Sequence, residues 1–110
     1  MSVEPYIILA IISPKLEKFD EVFGLLDGLI KGVKDKEPDC ELFQAHREVN
    51  LQSGPEEIFM IERFKDIEAV VFHQKNPAFL AFGEAVTKGN LLTKPLFIKV
   101  IQPVKGFARA

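Results

Sequence analysis

The sequence has few of the residues on which several classes of protein depend. It has one cysteine, Cys40, so no internal disulfide can form and no thiolate cluster can hold a metal. Tryptophan is absent, and Tyr6 is the only tyrosine. The formal net charge is only −2, which gives no basic face for nucleic acid or for an acidic membrane. We therefore expect neither as a partner, and we expect Cys40 to be a half-buried strand residue.

Long apolar runs are also missing. The first apolar run, Tyr6–Ile12, follows Glu4 without any basic residue, so it fits neither a signal peptide nor a membrane span. The cytoplasm is therefore the expected compartment. A length of 110 residues is common for one domain and leaves no room for two, so residues 1–110 are predicted to form a single domain.

Hydrophobic patterning predicts four strands. The continuous β-branched run Tyr6–Ile12 is typical of a strand covered on both faces. Residues 40–51 alternate between two faces and form the second predicted strand. The Gln-Ser-Gly-Pro turn at residues 52–55 should join that strand to Ile58–Phe64 as a hairpin. Residues 96–101 form the fourth predicted strand.

The same patterning predicts one long helix and two short ones. Ser13-Pro14 is expected to provide the N-cap and first position of the long helix. Asp66 is expected to cap the first short helix, and Asn76-Pro77 to start the second. The apolar stripe predicted for the long helix consists of Leu16, Phe19, Phe23, Leu26, Ile30 and Val33.

Three glycines interrupt the long predicted helix. Gly24, Gly28 and Gly32 recur every four residues, so they fall along one side of it. Each costs roughly 1 kcal/mol relative to alanine in a helix interior. The stripe therefore predicts either close packing against this side or room for a bound molecule.

The order of elements predicts an α+β fold of the ferredoxin-like βαββαβ kind, with a four-stranded antiparallel sheet and helices on one face. The strands are nevertheless apolar in both directions around residues 7–11, 59–61 and 97–100. Monomers rarely expose a large contiguous apolar patch, so the free face should pack on the sheet of an identical chain. A homodimer is therefore predicted. The tail, with Phe107, is either loose or reaches across to the partner.

Few side chains could carry chemistry. The sequence has no glycine-rich phosphate loop, no nucleophile elbow and no histidine–acid cluster at metal-ligand spacing. His73 is either a structural histidine or the polar group of a pocket. Glu62 either pairs with a neighbouring cation, caps backbone groups or acts as a general base. His46 either faces the same cavity or is a strand histidine near its rim. The full set of candidates is His46, His73, Glu62, Asn76, Tyr6 and Arg47.

One segment resembles the signature of antibiotic biosynthesis monooxygenase (ABM) domains. A strand runs into Glu62-Arg63-Phe64-Lys65-Asp66, a helix carries Ala69 and His73, and Asn76-Pro77-Ala78-Phe79 follows. The resemblance in element order covers essentially the whole chain. It implies a dimeric α/β barrel with a pocket in each subunit between the helices and the sheet.

The resemblance also implies an activity. Many relatives oxygenate quinols or polycyclic aromatic compounds with molecular oxygen and without metal, flavin or other prosthetic group. A deprotonated substrate is electron-rich enough to pass an electron to oxygen, so the protein must only position it and exclude water. The expected function is a cofactor-independent monooxygenase for a small hydrophobic, quinol- or anthrone-like substrate. The expected catalytic residues are His73, His46 and Glu62, and the expected substrate-binding residues are Tyr6, Phe72, Asn76, Phe79 and Phe82.

Two departures narrow this expectation. Gly83 stands where haem-degrading relatives have an iron-binding histidine, so the resemblance does not extend to haem degradation. Aromatic-monooxygenase relatives often place tryptophan or tyrosine in the pocket, whereas this chain has no tryptophan and a single tyrosine. A phenolic proton relay would therefore depend on Tyr6 alone. The alternatives are a non-catalytic ligand-binding or stress-related protein of the same fold, and a related decarboxylase, cyclase or isomerase.

Overall fold

The structure, a computed structural model, describes residues 5–49 and 54–109. A four-stranded antiparallel sheet has the strand order β2-β3-β1-β4. The predicted ferredoxin-like α+β fold is confirmed, with the helices on one face of the sheet. None of the helices in these two ranges is long and apolar enough to cross a lipid bilayer. The elements are β1 (Tyr6–Ile12), a 3-10 turn (Leu16–Lys18), α1 (Phe19–Lys36), β2 (Cys40–Arg47), β3 (Ile58–Phe64), α2 (Ile67–Gln74), α3 (Pro77–Lys88) and β4 (Phe97–Ile101).

The long helix begins later than predicted. Pro14 forms an isolated antiparallel bridge with Leu92, and the Ser13 carbonyl accepts a hydrogen bond of 2.7 Å from the Thr93 N–H. The chain at Ser13-Pro14 therefore continues the extended pairing of β1, and the prediction that it caps the helix is wrong. The α-helix begins at Phe19, after the short 3-10 turn.

The apolar stripe of α1 also differs from the prediction. Leu26 and Val33 are buried as expected, but Leu16 is 75% exposed and Phe23 is 39% exposed. The rest of the buried face comes from Val22 and Leu29. The two phenylalanines of the stripe, Phe19 and Phe23, stack on each other beneath the Arg47 guanidinium. On this side of α1, Phe19 and Phe23 therefore make a cation–π contact with Arg47 instead of being buried in the core.

The hairpin and the helix caps follow the predictions. β2 and β3 pair antiparallel, although β2 ends at Arg47, and residues 50–53 of the predicted strand and turn lie outside the described residues. Asp66 accepts a hydrogen bond of 2.9 Å from the Ala69 N–H at the start of α2. Asn76 accepts one of 2.8 Å from the Ala78 N–H at the start of α3. These caps fix the break between the two short helices.

Only one glycine of the α1 stripe is explained by close packing. A Cβ atom on Gly32 would lie 2.3 Å from the Ala78 Cβ, so α1 and α3 can approach closely only without a side chain there. A Cβ on Gly24 or Gly28 would meet nothing within 4 Å. Nothing in the structure explains these two glycines.

The sheet face opposite the helices is largely apolar, although Arg63, which pairs with Ile7, and Lys99, which pairs with Leu9, also lie on it. Successive strand residues point to opposite faces of the sheet. In β1 and β3 the residues that alternate with the buried ones therefore lie on this face. Ile11 pairs with Phe59 on one side and with Phe97 on the other. We call this surface the open sheet face. Its apolar residues are Ile7, Leu9, Ile11, Phe59, Ile61, Phe97 and Ile101, of which the last three are 38–47% exposed.

Candidate active site

His73 is held at the centre of the helix–sheet interface. It lies in the last turn of α2, and its side chain is almost completely buried. Three phenylalanine rings surround the imidazole, with centroid distances of 5.6 Å to Phe43, 5.1 Å to Phe64 and 4.8 Å to Phe79. They come from β2, β3 and α3 respectively. The ring position is therefore set by packing from three separate elements.

A buried carboxylate determines how the imidazole is oriented. His73 Nδ1 lies 2.9 Å from Oε2 and 3.1 Å from Oε1 of Glu37, the residue that follows α1. The Asn76 amide donates to the same Oε2 at 2.8 Å and to the Gly32 carbonyl at 3.2 Å. Because a carboxylate only accepts hydrogen bonds, Nδ1 carries the ring proton. In the neutral imidazole, Nε2 then has a free lone pair.

The free nitrogen faces a second buried carboxyl group. His73 Nε2 lies 3.7 Å from Glu62 Oε1, which has no hydrogen-bond partner among the described residues. Burial, and to a lesser degree the charge of Glu37, raises the pKa of Glu62 to about 8. Near neutral pH the Glu62 carboxyl is therefore mostly in its neutral, protonated form.

Both groups line a cavity of about 80 Å³ between the helices and the sheet. Its walls are mostly apolar, and Ile98 and Val100 on the edge strand β4 are about half exposed, so the cavity opens towards that edge. It is smaller than the roughly 300–1,000 Å³ of typical small-molecule sites. The cavity in this state therefore fits a small molecule better than a polycyclic one. The other wall residues that matter here are Ala10, Met60, Phe79 and Phe82.

The structure brings some predicted site residues together and separates others. His73, Glu62, Phe79 and Phe82 all line the cavity. Asn76 lies behind it as a ligand of Glu37, and is not part of the lining.

Three predicted residues lie away from the cavity. His46 hydrogen-bonds the Phe59 carbonyl at 3.1 Å and belongs to the open sheet face, because alternate residues of β2 point away from the helices. Tyr6 packs against the core at the other end of β1, opposite Phe64. Phe72 is 56% exposed and lines a separate surface hollow. The expectation that these three side chains join His73 is corrected accordingly.

The residue that sequence reasoning missed is Glu37. It stands between Lys36 and Pro38 in a charged connection, where carboxylates are normally solvated. No periodic pattern marks it as buried, and its partner His73 is 36 residues away in the chain. Across the two described ranges, no three His, Cys, Asp or Glu side chains form a group that could hold a metal ion.

Comparisons with known proteins agree with this fold. A family model described as antibiotic biosynthesis monooxygenase matches residues 5–85. Rv0793 from Mycobacterium tuberculosis has a TM-score of 0.81 at 23% identity, over 96% of this chain and 100% of that one.

Two further solved structures are similar. A conserved protein from Methanosarcina mazei Go1 has a TM-score of 0.77 at 23% identity, over 90% of this chain and 92% of that one. A structure named as an antibiotic biosynthesis monooxygenase has a TM-score of 0.74 at 19% identity, over 91% and 99% of the two chains. No curated protein matches the chain.

Proposed function

Because the chain belongs to the antibiotic biosynthesis monooxygenase family, we propose that it oxidises a small, quinol-like aromatic substrate with molecular oxygen and needs no bound cofactor. One observation carries this proposal. His73, held by Glu37 through Nδ1, presents its free Nε2 to an apolar cavity beside the neutral carboxyl of Glu62. A base held in this way can deprotonate a phenol that is bound in a site shielded from water.

After proton transfer, the remaining steps use the reactivity of the substrate anion itself. The phenolic proton moves to His73 Nε2, and the electron-rich anion passes an electron to oxygen. Recombination forms a carbon–oxygen bond, and loss of water leaves a hydroxylated quinone. Overall, a dihydroxybenzene and one oxygen molecule give a hydroxyquinone and one water, so the substrate supplies all four electrons. The apolar walls, including Phe79 and Phe82, exclude water and pack against the ring.

Oxygen uptake tests this proposal directly. The purified protein, dialysed against EDTA, is mixed with hydroquinone, catechol, 1,4-naphthalenediol and anthrone. We expect uptake above background for at least one single-ring substrate, and His73→Asn should lower it by about 10²- to 10⁴-fold, the usual contribution of a positioned base. Lys75→Asn, an exposed change next to the same helix, is the matched control. No uptake with any substrate, or an unaffected His73→Asn, would contradict the assignment.

A second candidate uses the same two groups without oxygen. A neutral acid next to a base is sufficient to enolise a ketone, which is the central step of an isomerase. Exchange of a substrate C–H for deuterium from heavy water under nitrogen, without oxygen uptake in air, would favour this candidate over the oxygenase.

We also propose that two chains associate through the open sheet face. This face is largely apolar, Ile61, Phe97 and Ile101 on it are 38–47% exposed, and the same face of a second copy would have the same composition. Light scattering at micromolar concentration should give the mass of a dimer. Ile61→Lys places a charge in the middle of the face and should yield monomers, whereas Leu80→Lys, an exposed position on α3, should not. A monomeric wild-type protein would exclude this arrangement.

A further inference from the structure

Among the residues that the structure describes, Glu62 is the buried side chain whose hydrogen bonding is incomplete. Its residue is 5% exposed, it lines the cavity, and its Oε1 has no hydrogen-bond partner among the described residues. The neighbouring carboxylate of Glu37 is already satisfied by His73 and Asn76. A buried polar atom without a partner costs stability, so such an atom at the wall of a cavity points to a ligand that completes it.

The two cavity-facing groups differ in hydrogen-bonding role. Among the described residues Glu62 has no ion-pair partner at hydrogen-bond distance, because His73 lies 3.7 Å away and is already engaged by Glu37. An unpaired carboxylate in an apolar wall is far more costly than a carboxylic acid, so Glu62 is a donor there. Its raised pKa agrees with this state. In the neutral imidazole, His73 Nε2 is an acceptor, because the single ring proton is on Nδ1.

We infer that the cavity selects a catechol, a single aromatic ring with oxygens on adjacent carbons, in which one hydroxyl donates to His73 Nε2 and the other oxygen accepts from the Glu62 carboxyl. This inference rests on the proposed function, whose substrate class it narrows.

The spacing of the two protein atoms favours adjacent oxygens. Hydrogen bonds from the substituents of a ring edge diverge, so the protein atoms that receive them must be farther apart than the ligand oxygens. Oxygens on adjacent ring carbons are closer together than the 3.7 Å between His73 Nε2 and Glu62 Oε1. Oxygens in a 1,3 arrangement are farther apart than this, so their outward hydrogen bonds could not reach both groups at the same time. The cavity volume of about 80 Å³ leaves no room for a fused ring system.

Binding under nitrogen separates this inference from catalysis. Catechol, resorcinol and phenol are titrated into the full-length protein at pH 7 by calorimetry, with NMR of the His73 ring nitrogens as a second readout. Catechol should bind about tenfold more tightly than either analogue, the effect of one additional hydrogen bond. Catechol should also shift the Nε2 resonance.

Variants identify the group that recognises the second oxygen. Glu62→Leu should abolish the preference for catechol, and Glu62→Gln, which retains an N–H donor, should keep most of it. Glu41→Leu, at an exposed glutamate of the neighbouring strand, is the matched control and should keep all of it.

The outcomes are distinguishable from those of the oxygenase assay. Equal affinity for the three compounds, or a preference that survives Glu62→Leu, would overturn the inference. Selective catechol binding without oxygen uptake would support the inference while refuting the proposed oxygenase. If catechol supports oxygen uptake but binds no more tightly than resorcinol, the oxygenase is supported and the selection by Glu62 is refuted.

Discussion

The Glu62→Gln variant should lose a pH dependence of folding stability that the wild-type protein has. In the folded chain the pKa of Glu62 is raised to about 8 from its ordinary value of 4.5, mainly because the carboxyl group is buried. Between these two pH values the folded state holds one proton more than the unfolded state at this site. The free energy of unfolding therefore falls as the pH rises, by about 1.4 kcal/mol per pH unit for one proton.

The size of the effect follows from the width of this interval. The contribution of Glu62 is fully present below pH 4.5 and is lost as the pH rises through 8. Over the whole interval it amounts to about 5 kcal/mol, which is comparable to the total stability of many small domains. Glutamine has a similar size and does not titrate. The variant should therefore gain stability relative to the wild type by several kcal/mol between pH 5 and pH 8.

The other ionisable groups near Glu62 are common to both proteins. Glu37 and His73 lie on the helical side, and Cys40, whose pKa is raised to about 12, stays protonated throughout this range. The difference between the wild type and Glu62→Gln consequently reports the titration of Glu62 together with its coupling to Glu37 and His73. The measurement is urea unfolding followed by circular dichroism at pH 5, 6, 7 and 8, at one fixed protein concentration because association would also add stability.

The control is Glu41→Gln, which removes an exposed carboxyl group on the neighbouring strand. Its stability should run parallel to that of the wild type across the pH series. If the curves of the wild type and Glu62→Gln are also parallel, the buried carboxyl group is not held neutral in the folded state, and the assignment of Glu62 as a donor fails with it.

Three further predictions test the packing around the site. Glu37→Ala leaves buried donors without an acceptor, so it should cost about 3 kcal/mol in urea unfolding at pH 7; a change below 0.5 kcal/mol, roughly the size of an ordinary surface effect, would contradict the role of this carboxylate in holding His73. Cys40, with its pKa raised to about 12 by burial and by Glu37, should react with a thiol reagent at pH 8 about a thousandfold more slowly than in urea, and equal rates would refute this. Gly32→Ala should cost roughly 1–3 kcal/mol because its Cβ meets α3, whereas Gly24→Ala, which faces open space, should be neutral or stabilising by up to about 1 kcal/mol.

Local chemistry made much of the fold predictable. The caps at Asp66 and Asn76, the hairpin and the limits of β1 and β3 depend on neighbouring residues and on a two-residue period, which the sequence displays directly. The start of α1 was mispredicted for the opposite reason. Ser13-Pro14 has the composition of a helix start, but its conformation is decided by Leu92 and Thr93, about eighty residues later in the chain.

The candidate site, like the fold, was predictable only in part. His73, Glu62, Phe79 and Phe82 could be predicted as candidates because they lie in one short segment with a family signature and a helix break. What these residues can do depends on contacts made by the folded chain. In the fold, Glu37 lies on one side of the His73 imidazole and Glu62 on the other, and His46 lies on the opposite face of the sheet. Proton positions and acidity depend on burial and on partners distant in sequence, and no local pattern encodes either.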